Sequence, residues 1–362
     1  MKKLLILILL IIMFSLIGIL GMQIYNFVYI EKENLTNYTQ QQEKDIIVEE
    51  EKKVGIFNGN TRPIAVMIDN VGSARPQAGL NDAYVVYEII VEGQLTRLMA
   101  IFKDVDLEKI GPIRSSRHYF LDYALENDAI YVHFGWSPQA QTDIRKLGVD
   151  NINGMSESSK SFWRVKDKSS PHNAVTSTEK ILQIAKRKKY DTTSEKESVL
   201  NYVTEEVELE SNIIATDITI PYSSTYKVTY KYDEETKRYT RGYNKTTQKD
   251  WVTEEPVTTK NIIITFAKNN TLNDGSGKNR QNLSNIGTLD GYYITNGKAI
   301  KIKCIKSARD EKTVYQDLNG NEIQINDGNT FVQIVPIKAK VKITPGIVEK
   351  VEDITENINA IN

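Results

Sequence analysis

The chain has 362 residues, with 46 lysines and arginines against 47 aspartates and glutamates, and a formal net charge of −1. Both signs are interspersed and no large basic field exists, which argues against a nucleic-acid partner. The single cysteine, Cys304, rules out an intramolecular disulfide and a multi-cysteine zinc site.

Lys2-Lys3 precede a nearly unbroken apolar run from Leu4 to Met22. Such a run is long enough to cross a hydrocarbon core of about 30 Å as a helix. The basic residues before it, with Glu31 and Glu33 after it, predict a cytoplasmic N-terminus and an exported remainder. No small-x-small cleavage site stands near Gly21, so a retained single-pass anchor in the cell membrane over residues 1–30 is expected, with the bulk of the chain outside the cytoplasm. Residues 31–60 are polar, lack apolar periodicity and read as a stalk with a helical portion.

An α/β (or α+β) domain is expected over 61–190. Pro63–Ile68, Ala83–Val91, Leu95–Phe102 and Ala129–Phe134 read as strands. Ser115 or Ser116 is placed to cap a helix running to Glu126. Ser137-Pro138 signals a second helix, to Lys146, and Ser177 or Thr178 a third. Hydrophilic residues 191–211 read as a linker. A mainly antiparallel β domain then spans 212–340: Tyr226, Val228, Tyr230 and Tyr232 alternate with polar residues, and Asn296-Gly297 and Asn319-Gly320 are hairpin turns between strands. Residues 341–362 read as a tail of mixed charge.

Charged, directional residues are concentrated in the first domain. Gly111-Pro112-Ile113-Arg114-Ser115-Ser116-Arg117 brings two arginines and two hydroxyls to an expected helix start, which favours an anion. The bland alternative is that Arg114 and Arg117 pair internally with Glu88 and Glu92, which sit four apart on one strand face. Asp69 and His133 each end a strand, where ligands of α/β sheets collect. With His172 they are acid–base candidates. No H-x-x-x-H or H-E-x-x-H spacing occurs, so no metal centre is expected. No motif names a cofactor.

The combination of Ile68-Asp69-Asn70, Ala74-Arg75-Pro76-Gln77, Glu88, Glu92-Gly93, Thr96-Arg97, the Ile110–Arg117 run, His133-Phe134-Gly135-Trp136-Ser137-Pro138 and Pro171-His172-Asn173 resembles the YerB-like family of bacterial envelope lipoproteins, a domain of unknown function. The likeness continues through Gly291-Tyr292-Tyr293, Asn296-Gly297-Lys298 and Asp327-Gly328-Asn329-Thr330 and covers about 62–337. It implies an envelope location, consistent with a Gram-positive surface, and supplies no reaction. Met22 stands where a lipoprotein would carry its lipidated cysteine.

These readings lead to an extracytoplasmic protein that binds an anionic wall glycopolymer or a lipid-linked phosphate precursor. Arg75, Arg97, Arg114, Ser115, Arg117 and Asn173 would form the binding set. The alternative is a hydrolase or transferase on the same ligands, using Asp69, Glu88, Glu92, His133 or His172. A third reading is a scaffold that captures a wall-remodelling enzyme through the β domain.

Overall fold

The computed structural model describes residues 2–45 and 54–345. Helix α1 (Lys2–Asp45) carries the apolar segment, and Ile8–Thr36 within it, of mean hydropathy 2.4, is long and apolar enough to cross a membrane. No glycine or proline interrupts Gln23–Asp45, so the helix runs on through the polar residues expected to form a stalk. Residues 46–53 and 346–362, the rest of that stalk and most of the expected tail, lie outside the described residues.

From Val54 the chain forms one separate unit. In its first half lie β1 (Ile64–Asp69), β2 (Val85–Glu92), β3 (Leu95–Phe102), α2 (Phe120–Glu126), β4 (Ile130–His133), α3 (Pro138–Lys146), β5 (Asn151–Asn153), β6 (Trp163–Arg164), β7 (Ala174–Val175) and α4 (Thr178–Arg187). The second half adds β8 (Tyr202–Val203), β9 (Ile213–Ile214), β10 (Asp217–Pro221), β11 (Lys227–Asp233), β12 (Arg238–Tyr243), β13 (Thr246–Thr247), β14 (Thr258–Thr259) and β15 (Asn261–Thr271). It continues with β16 (Gln281–Ser284), β17 (Gly287–Thr295), β18 (Lys298–Lys306), β19 (Val314–Gln316), β20 (Ile325–Asn326), β21 (Thr330–Pro336) and β22 (Lys342–Thr344).

A mixed α/β half is thus followed by a mainly antiparallel β half, as expected, but the two share one sheet. Its order is β19-β18-β17-β15-β21-β2-β3-β1-β4-β5, with β16 and β9 attached to β15 and β18. The junction is β21, which pairs in parallel with β15 of its own half and with β2 of the first. Consequently β1, β2, β4, β5, β15 and β21 all run the same way. A second sheet, β13-β12-β11-β10-β22 with β14, lies against one face of the first.

Both faces of the central strands are covered, which is why β1 and most of β2 read as continuous apolar runs. Val66, Ile68, Val86, Leu98 and Ala100 pack with Ile218, Val228, Tyr230 and Tyr239 of the second sheet. Ala65, Met67, Tyr87, Met99 and Ile101 face the other way, toward Phe120, Leu121 and Ala124 of α2. The second half also reaches over this face: Lys306 pairs with Glu126 at 2.7 Å, and Arg309 with Asp122 and Asp143 at 2.6 and 2.8 Å.

Several boundaries differ from expectation. Residues 54–60, counted with the stalk, belong to the folded body, where Gly55 and Ile56 donate backbone N–H bonds to the Asp327 carboxylate. The expected linker 191–211 is woven in: Thr61 bridges Thr193, β8 pairs with β20, and Val199, Leu200 and Leu209 are buried. Its hydrophilic composition hid these scattered apolar anchors. Ser137 and Ser177 cap α3 and α4, accepting from the Ala140 and Lys180 amides. Ser115 and Ser116 cap nothing: α2 begins only at Phe120, and Tyr119 before it makes no side-chain cap. The hairpin at Asn296-Gly297 forms as the dipeptide predicts, with φ of 48° and 72°.

Candidate functional site

At the carboxyl end of the parallel strands, the Gly111–Arg117 bend threads between β1 and β4. Asp69 donates its N–H to the Pro112 carbonyl, Arg114 to that of Met67, and Phe134 to that of Arg114. Gly111 enables the bend: its φ is 140°, and a Cβ there would stand 3.0 Å from the Ala174 carbonyl oxygen.

The pleat splits the charged residues into two clusters. Asp69 and Arg97 are cross-strand partners on the α2 face. Asn70, Thr96 and Glu88 turn toward the second sheet. Adjacent residues therefore serve different sites.

On the α2 face, Asp69 is buried and its Oδ2 is met by His172 Nδ1 at 2.7 Å and Arg114 Nε at 3.0 Å. The Arg114 Nε–H is not aimed at that oxygen, so the contact is an ion pair without a hydrogen bond. Glu92 collects three arginines: it accepts a hydrogen bond from Arg117, and Arg97 and Arg280 each lie 3.9 Å away. Arg97 donates to the Ser115 carbonyl at 2.5 Å and Arg117 to that of Ser116 at 2.6 Å. Burial, with Arg117 alongside, pulls the Arg97 guanidinium down to about 10, still charged at neutral pH. Burial would raise Glu92, but Arg117 and Arg97 outweigh it and hold its carboxyl below the usual range.

The donors exceed the acceptors. The Nε atoms of Arg97, Arg114, Arg117 and Arg280 are buried without a hydrogen-bond partner among the described residues. Arg97 and Arg117 are almost wholly covered, whereas the Arg114 side chain is 26% and that of His172 21% exposed. The bend is thus half architectural and half open: Arg117 answers Glu92 inside, and Arg114 faces out.

The other predicted residues lie elsewhere. Glu88 is fully buried and ion-paired with Arg241 at 2.5 Å, not with Arg114 or Arg117. A bulge between Ile90 and Glu92 shifts the register and separates the two glutamates that simple alternation placed together. Arg75 belongs with Glu88's cluster: it donates to Asn70 and stacks over Tyr226 and Tyr243 at 4.7 and 4.1 Å. His133 is sealed in, its Nδ1 2.8 Å from the Gly135 carbonyl and its Nε2 3.2 Å from Asn151 Oδ1, and burial pulls its imidazole down to about 4. With both ring nitrogens taken up and no solvent exposure, it is not placed to exchange protons with a ligand. Ser115 Oγ donates to the Phe134 carbonyl. Asn173 accepts from Arg164 and donates to the Val165 and Lys168 carbonyls, so it braces a loop.

Two participants were missed. Arg241 shares strand parity with the buried Tyr239, and that inward arginine in an alternating strand was the available signal. Arg280 sits in a hydrophilic stretch with no such signal; the β15–β16 hairpin delivers it to Glu92.

The family models that match describe a protein of unknown function: the DUF3048 N-terminal domain over residues 50–191 and the DUF3048 C-terminal domain over 218–332. The chain is 31% identical over 289 residues to a Bacillus subtilis (strain 168) protein named "Putative lipoprotein YerB", covering 79% of this chain and 82% of that one. A crystal structure of the YerB protein from Bacillus subtilis superposes with a TM-score of 0.70 at 30% identity, covering 78% of this chain and 94% of the other. The chain belongs to the DUF3048 family, both of whose domains it carries.

Proposed function

We propose that this is a single-pass, membrane-anchored protein with its bulk outside the cytoplasm, and that it binds an anionic component of the cell envelope through Arg114, supported by Arg97 and Arg117. The ligand class is a wall glycopolymer or a lipid-linked phosphate precursor. The observation that carries this reading is the imbalance at the bend. Arg97, Arg114, Arg117 and Arg280 share Asp69 and Glu92, with Asp274 holding only the outer end of Arg280, and each retains a buried donor without an acceptor. Four guanidinium groups against two shared carboxylates leave a surplus of positive charge, and the partly exposed Arg114 presents it at the surface. The apolar helix and the lipoprotein relative support the location.

Retention on purified wall polymer, compared between the native chain and Arg114→Ala, tests the proposal. Loss of retention is expected with the fold retained and only a modest fall in melting temperature, because Arg114 is partly exposed and the buried Asp69 keeps His172 as a partner. Equal retention by both would remove the basis for the reading.

One observation favours an enzymatic version. Asp69 orients the His172 ring through Nδ1, and that ring is accessible. A carboxylate-oriented imidazole beside a cationic site is the arrangement of a general base. Turnover of wall fragments that disappears in His172→Gln would identify it. Of the other catalytic candidates, Glu88 and His133 are enclosed away from Asp69, and Glu92 is taken up by arginines.

A further inference from the structure

We propose that the anion site has a second cationic subsite, Lys109 and Lys168 around Trp251, and that the ligand is accordingly a linear polyanion with repeated charges rather than a single phosphate group. This rests on the anion-binding reading of Arg114 and sharpens it.

Lys109 and Arg114 stand at the two ends of one short stretch of chain. Along it, Ile110 donates to the Thr176 carbonyl and Ile113 to that of Ala174, so the stretch lies against β7. Five residues of extended chain place the two ends at most about 17 Å apart. The loop between β6 and β7 spans the same interval. Its His172 meets Asp69 beside Arg114, and its Lys168 meets Trp251 beside Lys109.

The second subsite is held in place from the second half of the chain. Trp251 donates its backbone N–H to the Gln77 carbonyl at 2.8 Å and its indole N–H to Asp167 at 3.2 Å. The ammonium groups of Lys109 and Lys168 lie 4.7 and 4.2 Å from the indole centroid. Neither makes an ion pair among the described residues, although the Asp167 carboxylate stands at the same ring and partly offsets Lys168. An aromatic ring fixes the position of a cation without neutralising it, so both charges stay available to a ligand. Burial lowers the Lys168 ammonium; Asp167, which accepts from the Trp251 indole, opposes this, and Lys109 nearby adds to the lowering. Arg164, on the same hairpin, donates to Asn173 and covers Phe134, again without a carboxylate partner among the described residues.

A ligand that spans both subsites gains through effective concentration. The test uses the full chain in detergent and isothermal titration at fixed ionic strength, with inorganic phosphate and with linear polyphosphate long enough to cover the stretch. Polyphosphate should bind at least roughly tenfold tighter than phosphate. Lys109→Gln/Lys168→Gln should remove most of that advantage and leave phosphate binding unchanged, while Arg114→Ala should weaken both. Neutralising Lys227 and Lys245 on the second sheet serves as the charge control and should have no effect. The inference is overturned if polyphosphate shows no advantage, or if the control pair lowers its affinity as much as the Lys109/Lys168 pair. In either case phosphate binding that depends on Arg114 would leave the parent reading standing. Absence of any anion binding would sink both.

Discussion

Glu88 on β2 and Arg241 on β12 form an ion pair in which Arg241 Nη2 donates to Glu88 Oε2 at 2.5 Å, with both side chains fully buried. The other carboxylate oxygen accepts from Asn70, Thr96 and Tyr226. One charge from each half of the chain is thus neutralised between the two sheets, where neither has access to water. Removing one partner leaves the other buried and uncompensated.

Glu88→Met and Arg241→Met are each expected to destabilise the folded unit by about 3–5 kcal/mol in urea unfolding. Glu88→Met/Arg241→Met together should cost less than either single change. A double variant as damaged as the sum of the singles would show that the surrounding hydrogen bonds, and not the charges, dominate.

Arg114 and Arg117 are three residues apart and should behave oppositely. Arg117→Ala removes a nearly enclosed guanidinium from Glu92 and should lower stability by about 1–3 kcal/mol. Arg114→Ala should abolish anion binding and cost less, about 1 kcal/mol, because its guanidinium is partly exposed and the buried Asp69 keeps His172 as a partner. The two melting curves, recorded side by side, check this.

Histidine titration provides a pH test. Burial brings the folded-state value of His133 to about 4 from a usual 6.5. Between those values the unfolded chain binds a proton that the folded chain refuses. Stability is therefore intact above pH 6.5, declines as pH falls toward 4, and loses about 3 kcal/mol in all. His133→Asn should flatten that limb of the stability curve. An NMR titration in which the His133 ring protonates near 6.5 would contradict the enclosed placement.

At lower pH the carboxylate of Glu92 takes over. Its folded-state value lies below the usual 4.5, so its contribution is complete above 4.5 and is lost as pH drops through the depressed value. Glu92→Gln should reduce the acid-limb slope in melting temperature measured below about pH 4.5. An unchanged slope would mean that the arginines around it do not hold its charge.

The shared sheet also predicts how the chain can be cut. Residues 54–211 alone lack β21, the partner of β2, and expose that strand's full apolar edge. This fragment should lack cooperative unfolding by circular dichroism and recover it when co-expressed with 212–345. A partner captured by the second half therefore cannot be assigned by deleting residues beyond Ser211, since that deletion removes the fold as well.

The sequence by itself determined the apolar N-terminal helix, the main strands of both halves, the Ser137 and Ser177 caps and the Asn296-Gly297 turn. Each depends on neighbours within a few residues: hydropathy over one span, alternation at period two, or a hydroxyl beside a first turn. It also pointed to Asp69, Arg97, Arg114, Arg117 and His172, which the fold does bring together. Only the tertiary structure decided which charges meet. The bulge at Ile90–Glu92 sent the two glutamates to different partners, the pleat divided Asp69 from Asn70, and strands more than a hundred residues away supplied Arg241 and Arg280. Charge pairing at that range depends on sheet order and register, which local sequence patterns do not encode.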